Sequence, residues 1–485
     1  MSRAKNWINT YVSWMHTPLY ILLAGALACA HAGIQVVATP TELQSFFGTS
    51  AVKLAFVESK QIQVIDFAPA APAASTLAGT NGAIAPQFSP DGHWLVYGQG
   101  PSSDMTNNAA TKSSAYLVPT AGGTPTLAVA DNAHEPRFRR TGASTELVYA
   151  TLGVWDGWKG LGETRTLPVD LSAPTVQLGV ESTLASGSYY GGANDSYLAT
   201  GSSRAVMAKL SDAPLVPQIT LAYPLSKSDG SLDNLERQAC NISIYPGTEF
   251  SDVMMSLDFG SAGQTNAQIN GGKAWGMHDL LFMTRYDGTI LGQILRPARS
   301  DFPSLADDSY TGHHFDDAEW SNHPYFAVAN IQVSRAFPDA GGGWINEEQH
   351  EIILAIDLRL GTTLVLAQSS QVGPGLTADL QWPNLWVDRS SANVPSVTSD
   401  WMQKMASPVR APTLSQPSGA LRIIGQNVFS SEPLASVVSY DLRGHKRVWS
   451  SSDGFVWSLP TKIHGVQLVV AAHAIGSVTV RSFQF

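Results

Sequence analysis

The stretch PQFSPDGHWLVY, residues 86–97, sets an aromatic residue, Phe88, before a Ser-Pro-Asp-Gly turn and an apolar run, Leu95-Val96-Tyr97, after it. Asp91-Gly92 is hairpin chemistry, because glycine adopts the positive φ that a short β-turn demands. The flanks read as two strands of one hairpin. The fold is decided by the return of this pattern. HEPRFRRTGASTELVY (134–149) repeats it with Phe138, Gly142 and Leu147-Val148-Tyr149, DAEWSNHPYFAVA (317–329) with Trp320-Ser321, and DLQWPNLWV (379–387) with Trp382. CNISIYPG (240–247) is a weaker copy, and SGSYYGGANDSYLAT (186–200), with Tyr189 in the aromatic place, is the weakest. The six anchors lie about 50 to 75 residues apart.

A second unit recurs between them. SAYLVPTAGGTPTLAVA (114–130) and EIILAIDLRLGTTLVLA (351–367) each read as strand, glycine turn, strand, and 61–78 and 279–295 are looser versions. Each repeat therefore holds four short strands, and apolar periodicity of the helical kind is scarce. Four-stranded units at this period predict a six-bladed β-propeller. These residues resemble the TolB-like propeller repeats, whose blades carry an aromatic-Ser-Pro-Asp-Gly turn. The resemblance covers about residues 50–390. It implies a fold and no single function, since such propellers include binding proteins and enzymes. Strands at 53–67 precede the first anchor, and 379–388 supplies an anchor with no outer hairpin after it. One blade built from both ends of the domain resolves this and removes an open sheet edge.

The flanks suggest export. Arg3 and Lys5 precede the apolar LYILLAGALACA, and Ala30-His31-Ala32 has the small-x-small form of a signal-peptidase site. The apolar core is too short for a permanent span, so residues 1–32 are expected to be a cleaved signal peptide. A lipoprotein signal at Cys29 is the alternative. The chain has 29 basic and 39 acidic residues; without Arg3 and Lys5 the balance is 27 against 39, or −12. That argues against nucleic acid as a partner. Cys240 is then the only cysteine, which excludes an intramolecular disulfide and a cysteine metal cluster.

Residues 33–388 are assigned to the propeller, the Ser- and Pro-rich 389–418 to a linker, and 419–485 to a small β-sandwich of alternating strands. Tyr440-Asp441-Leu442-x-Gly444, Gly465-Val466 and the terminal VTVRSFQF resemble C-terminal sorting domains of type IX secretion substrates, with Arg481 alone where that family carries a lysine pair. The resemblance implies sorting or attachment at the cell surface. An ordinary carbohydrate-binding or immunoglobulin-like sandwich is the competing reading.

No HExxH, GxSxG, P-loop or Cys-x-x-Cys occurs. Counting three residues back from each anchor gives Ala85, Glu135, Asn241, Asp317 and Asp379, positions expected to face the channel mouth. Glu135, Asp317 and Asp379, with His134 nearby, form the candidate metal set, and Asn241 joins them as a candidate ligand-binding residue. Oxygen donors with uncompensated charge suit a divalent cation such as calcium; His134 and His314 would add nitrogen. The plainer alternative is that these acids cap turns. Trp155, Trp158, Tyr189 and Tyr190 lie in Gly-rich segments and are candidate stacking residues for sugars or peptides, with packing between blades as the alternative.

These features predict a secreted or cell-surface, monomeric, non-enzymatic recognition or scaffold protein for a protein or polysaccharide ligand. A periplasmic location is the alternative. The competing function is a metal-dependent polysaccharide lyase or hydrolase at the mouth, because His134-Glu135-Pro136 and His323-Pro324 are similar to motifs of propeller lyases. His323, however, aligns with the turn residue Asp91.

Overall fold

The Ser-Pro-Asp-Gly turn joins Ala83–Phe88 to Trp94–Gln99. Ser89 holds it twice: its N–H donates to the Trp94 carbonyl at 2.8 Å, and its Oγ accepts from the Trp94 N–H at 3.0 Å. Asp91 accepts from the His93 N–H at 3.0 Å. Gly92 has φ +71°, and a Cβ there would lie 2.4 Å from the Trp386 ring, so the glycine is required twice over. Ser321 makes the same turn in the later copy, donating its N–H to the Phe326 carbonyl at 3.1 Å.

The computed structural model describes residues 33–398, apart from 101–112, 143, 152–161, 173–174, 202–204, 213–217, 220–239, 258–259, 261–275, 303–309, 339–343 and 371–377, together with strand backbones between 421 and 484. The chain is all-β and its first part is a β-propeller of antiparallel sheets. Blade 1 orders Gln381–Val387, Val52–Glu58, Gln61–Asp66 and Ala74–Thr76. Blade 2 runs over 83–129 and blade 3 over 134–186. Cys240–Leu295 forms a further four-stranded blade, and Tyr310–Ser369 another, to which Ile34–Val36 adds an outer strand.

Five blades of four or more strands therefore stand where six were expected. The faint Tyr189 repeat yields a sheet of three strands, Tyr197–Gly201, Ala205–Lys209 and Gln218–Ile219. The segment before it makes one bridge, Ala193 to Leu198, after the Gly191-Gly192 pair. Two glycines weaken a strand through entropy and absent side chains. The closure does join the two ends: Gln381–Val387 pairs with Val52–Glu58, Val387 opposite Val52 and Leu385 opposite Leu54.

At three boundaries neighbouring blades are latched by a polar side chain one residue before a buried apolar residue of the innermost strand, Asn384, Gln87 and Ser243. The Phe88 N–H donates to Asn384 Oδ1 at 3.0 Å, the Phe138 N–H to Gln87 Oε1 at 2.5 Å, and the Trp320 N–H to Ser243 Oγ at 3.0 Å. Each bond satisfies a buried backbone donor that has no strand partner at the blade boundary. A short helix, α1, Pro40–Phe47, begins with a Thr39–Glu42 capping box and buries Leu43 and Phe47. Residues 389–398 are bonded to the propeller, Arg389 to Glu249 at 2.8 Å and His323 Nε2 to the Pro395 carbonyl at 3.2 Å. That part of the expected linker is thus packed down.

The C-terminal part has two antiparallel sheets. One orders Leu421–Ile424, Asn427–Ser430 and Val456–Ser458; the other orders Lys446–Val448, Leu434–Asp441, Val466–His473 and Val478–Gln484. Among the described residues no helix is long and apolar enough to cross a membrane. The expected signal peptide lies outside them.

Candidate metal centre

The innermost strands share a backbone device. Ala85, Glu135, Asn241, Asp317 and Trp382 all have φ between 42° and 49°, and each sits at a break in register with the next strand. A bulge of this kind turns the strand and aims the left-handed residue away from the sheet plane. Four of these positions are those counted from the anchors. The fifth is Trp382 and not Asp379, because the buried anchor of that repeat is Leu385; the sequence register was three residues early.

Asp379 nevertheless reaches the same cluster by another route. The last blade carries a hairpin of unusual length, Phe326–Pro338 with Trp344–Asp357, pinned by a buried bidentate pair in which Arg335 donates to Glu351 at 2.7 Å twice. His350 lies on this hairpin. Its Nδ1 is 2.7 Å from Asp379 Oδ1, its backbone N–H donates to that oxygen at 2.9 Å, and its Nε2 is 3.1 Å from Asp316 Oδ2. Gln381 Nε2 donates to the other Asp379 oxygen at 2.6 Å. Asn241 Nδ2 donates to Asp316 Oδ1, and Asp317 Oδ2 accepts from the Trp382 N–H at 3.0 Å and from Asn330 Nδ2 at 3.3 Å. Buried His278 places Nδ1 3.8 Å from Asp316 Oδ1.

Burial pushes the Asp317 carboxyl up to about 7, with Asp316 adding repulsion. Burial likewise pushes Glu135 up to about 7 against the attraction of Arg137, with Glu319 and Asp317 adding to the rise. For His350 burial lowers the value, but the bonds to Asp316 and Asp379 outweigh it and carry it to about 10. Without another cation, a proton on His350 holds these acids together.

Asp316, Asp317 and His350 each offer a donor atom, all within 4.8 Å of one another. His350 is also oriented as a metal-binding histidine would be: its Nδ1 bonds a carboxylate, which leaves Nε2 to face Asp316 and Asp317. Two carboxylate oxygens and an imidazole nitrogen suit zinc, manganese or iron better than calcium, whose shell is all oxygen. Of the expected set of Glu135, Asp317, Asp379 and His134, Asp317 lies in this group and Asp379 bonds its histidine, whereas Glu135 and His134 lie outside it. Glu135 lies 3.7 Å from Arg137, and His134 is buried, with burial holding it neutral.

Arg137 reaches from blade 3 to the last blade. Its two Nη donate to Glu319 at 2.6 Å each, its Nε donates to the Tyr190 carbonyl at 2.9 Å, and Ser243 Oγ donates to Glu319 at 2.8 Å. Tyr189 and Tyr190 are buried, so the exposed stacking surface expected of them is absent; Trp155 and Trp158 lie outside the described residues. His314 bonds Gln332, and His313 bonds the Pro297 carbonyl. His350 escaped the sequence reading because it lies outside every repeat. Its one signal was a lone histidine just before EIILAIDLRLG, and the strand that carries it begins six residues earlier, at Trp344.

No protein-family profile matches the chain, and no curated protein matches it in sequence. Among solved structures, the nidogen/laminin complex aligns over 69% of this chain and 98% of its own at 10% identity and TM-score 0.36. TolB from Acinetobacter baumannii aligns over 71% and 70% at 11% identity and TM-score 0.29. The periplasmic gluconolactonase of Pseudomonas aeruginosa aligns over 69% and 97% at 13% identity and TM-score 0.32. These likenesses carry no information on activity.

Proposed function

We propose that this is a secreted or cell-surface recognition protein whose propeller mouth holds a divalent transition metal through Asp316, Asp317 and His350. The ion's remaining positions would face a protein or polysaccharide ligand. One observation carries the reading: the three donor atoms converge within 4.8 Å while Asp379 fixes the opposite nitrogen of His350. The expected leader and the C-terminal sheets, read as a sorting or attachment module, support export and display.

The test is elemental analysis of the purified chain with thermal melts in zinc or manganese and in chelator. An ion that binds only the folded state at a hundredfold excess over its dissociation constant stabilises it by about 2.7 kcal/mol. The wild type is expected to carry about one equivalent and to melt lower in chelator, and Asp317→Asn and His350→Gln to lose both properties. Metal-replete protein that melts identically in chelator, with no calorimetric binding of either ion, overturns the proposal.

A second reading rests on the open shell. Three protein ligands leave positions for water or substrate, as in catalytic metal sites. Metal-dependent release of reducing or unsaturated ends from a polysaccharide panel, abolished in Asp317→Asn, would move the assignment to a carbohydrate-active enzyme.

A further inference from the structure

Three residues beyond the left-handed ring, at the anchors, the propeller has a second site. Phe88, Phe138, Trp320 and Leu385 line a cavity of about 230 Å³, with Arg389 and Arg140 at its rim. Arg389 is neutralised: it donates to Glu249 at 2.8 Å and to Tyr245 Oη at 3.3 Å. Arg140 is exposed, and among the described residues no carboxylate accepts a hydrogen bond from it. The cavity thus offers an apolar floor and one uncompensated guanidinium, a combination that favours an anion carried on an apolar group.

Pro90 and Arg140 also line a larger depression of about 830 Å³. It runs between blades 2 and 3 past Thr145, Pro168 and Asp170 to Gln177–Gly179. Gln177–Leu178 is the outermost strand of its sheet on that path, paired on one side with Val169–Asp170. Leu178 is 41% exposed and Val180 86% exposed, two of the few large apolar side chains left in water among the described residues. The depression therefore crosses blade 3 from strand to strand, Arg140 opposite Thr145, Thr145 opposite Val169 and Val169 opposite Leu178, and ends on exposed apolar surface against which an extended chain can lie.

We infer that this cavity and groove bind the C-terminal end of an extended protein segment. The last side chain, apolar, enters the cavity; the terminal carboxylate pairs with Arg140; the preceding residues lie along the groove beside Gln177–Leu178. Asp91 and Asp170 line the outer groove, so a basic residue upstream of the apolar end is favoured. The carboxylate fixes polarity and register, and the cavity selects the final residue. The inference is independent of the metal centre, since none of the three proposed metal ligands lines either depression.

The probe is a fluorescein-labelled hexapeptide, Lys-Ser-Lys-Thr-Val-Leu, with a free C-terminus, titrated by fluorescence anisotropy against the full chain in chelator. Amidating the terminus is expected to weaken binding at least tenfold, as is Arg140→Gln, which removes an exposed and unpaired group and leaves the melting temperature unchanged. Leu178→Asp is expected to weaken it severalfold. Equal binding of acid and amide forms overturns the inference. So does competition by N-acetyl-leucine as tight as the hexapeptide, which would leave the groove no part. Absence of saturable binding below millimolar for the probe and for a random hexapeptide library with free C-termini also refutes it.

Discussion

Removing either member of the Arg137–Glu319 pair tests whether the axis of the propeller is held by one buried charge pair. The pair is bidentate at 2.6 Å, with side-chain exposures of 11% and 18%. Through Tyr190 and Ser243 it connects blade 3, the three-stranded sheet and the last two blades. Breaking a buried pair by truncating one partner costs about 3–5 kcal/mol, because the survivor stays charged without compensation. The two truncations are not equivalent here. Glu319→Gln leaves Arg137 with Glu135 at 3.7 Å as a residual partner, so its cost falls at the lower end, about 3 kcal/mol. Arg137→Met removes the cation bonded to Glu319 and the attraction that opposes burial at Glu135, and falls at the upper end, about 5 kcal/mol. The double variant Arg137→Met/Glu319→Met removes both charges and is expected to cost less than the sum of the singles by at least about 2 kcal/mol. Urea unfolding of the four chains, followed by tryptophan fluorescence, measures each term. Two singles that each cost under about 1 kcal/mol, or a strictly additive double, would refute the reasoning, since exposed pairs behave that way.

Other perturbations act at the blade boundaries and the turns. His323 accepts the Tyr325 N–H on Nδ1 at 3.2 Å, and its Nε2 meets the Pro395 carbonyl, so both nitrogens suit the neutral ring. Burial lowers its value to about 4. The folded state therefore binds fewer protons than the unfolded chain between about pH 6.5 and 4, and stability present above that window falls as pH drops through it. The loss is about 3 kcal/mol at most. His323→Gln should flatten this acid limb in pH-dependent melts, and an unchanged slope counts against it. Asn384→Ala orphans the buried Phe88 N–H and should cost about 1–3 kcal/mol; calorimetry showing less than about 0.5 kcal/mol would mean that another group takes over the latch. Gly92→Ala must hold φ +71° and press a methyl into Trp386, so a loss of at least about 2 kcal/mol is expected. A neutral result would mean that the turn and the ring move apart freely.

The propeller was legible because its signal is repeated. Each copy of aromatic, turn and apolar run reports the same hairpin, so errors in one copy are corrected by the others. The ring closure followed from strand supply at the two ends, and Val387 pairs with Val52 as that argument requires. Legibility failed where a copy was degraded or unique. Near Tyr189 two glycines stand where strand residues were expected, and that copy yields a three-stranded sheet and no sixth blade. At 379–387 Trp382 stood where an anchor was sought, while the buried residue was Leu385, which displaced the candidate Asp379 by three positions. The latch residues Gln87, Ser243 and Asn384 were readable in principle, since a polar residue precedes the anchor in each copy, but polarity at one position says nothing of a partner in the next blade. His350 depended on the length of one hairpin, which no repeat encodes.

The left-handed ring separates what the fold demands from what the site selects. Alanine, glutamate, asparagine, aspartate and tryptophan hold almost the same φ at five equivalent places. A non-glycine residue in that region costs about 1–3 kcal/mol, and the surrounding structure must impose it. Since five unrelated side chains accept it, the strain serves the backbone: the bulge bends each innermost strand around the axis. Chemistry enters through which side chain the bend aims inward. At Ala85 it aims a methyl, which can bind no ion. At Asp317 it aims a carboxylate, and the adjacent Asp316 and the long hairpin bearing His350 converge on it from the same blade. The proposed cation site would depend on one blade's insertion, with Asn241 and Asp379 reaching in from two others to hold its ligands.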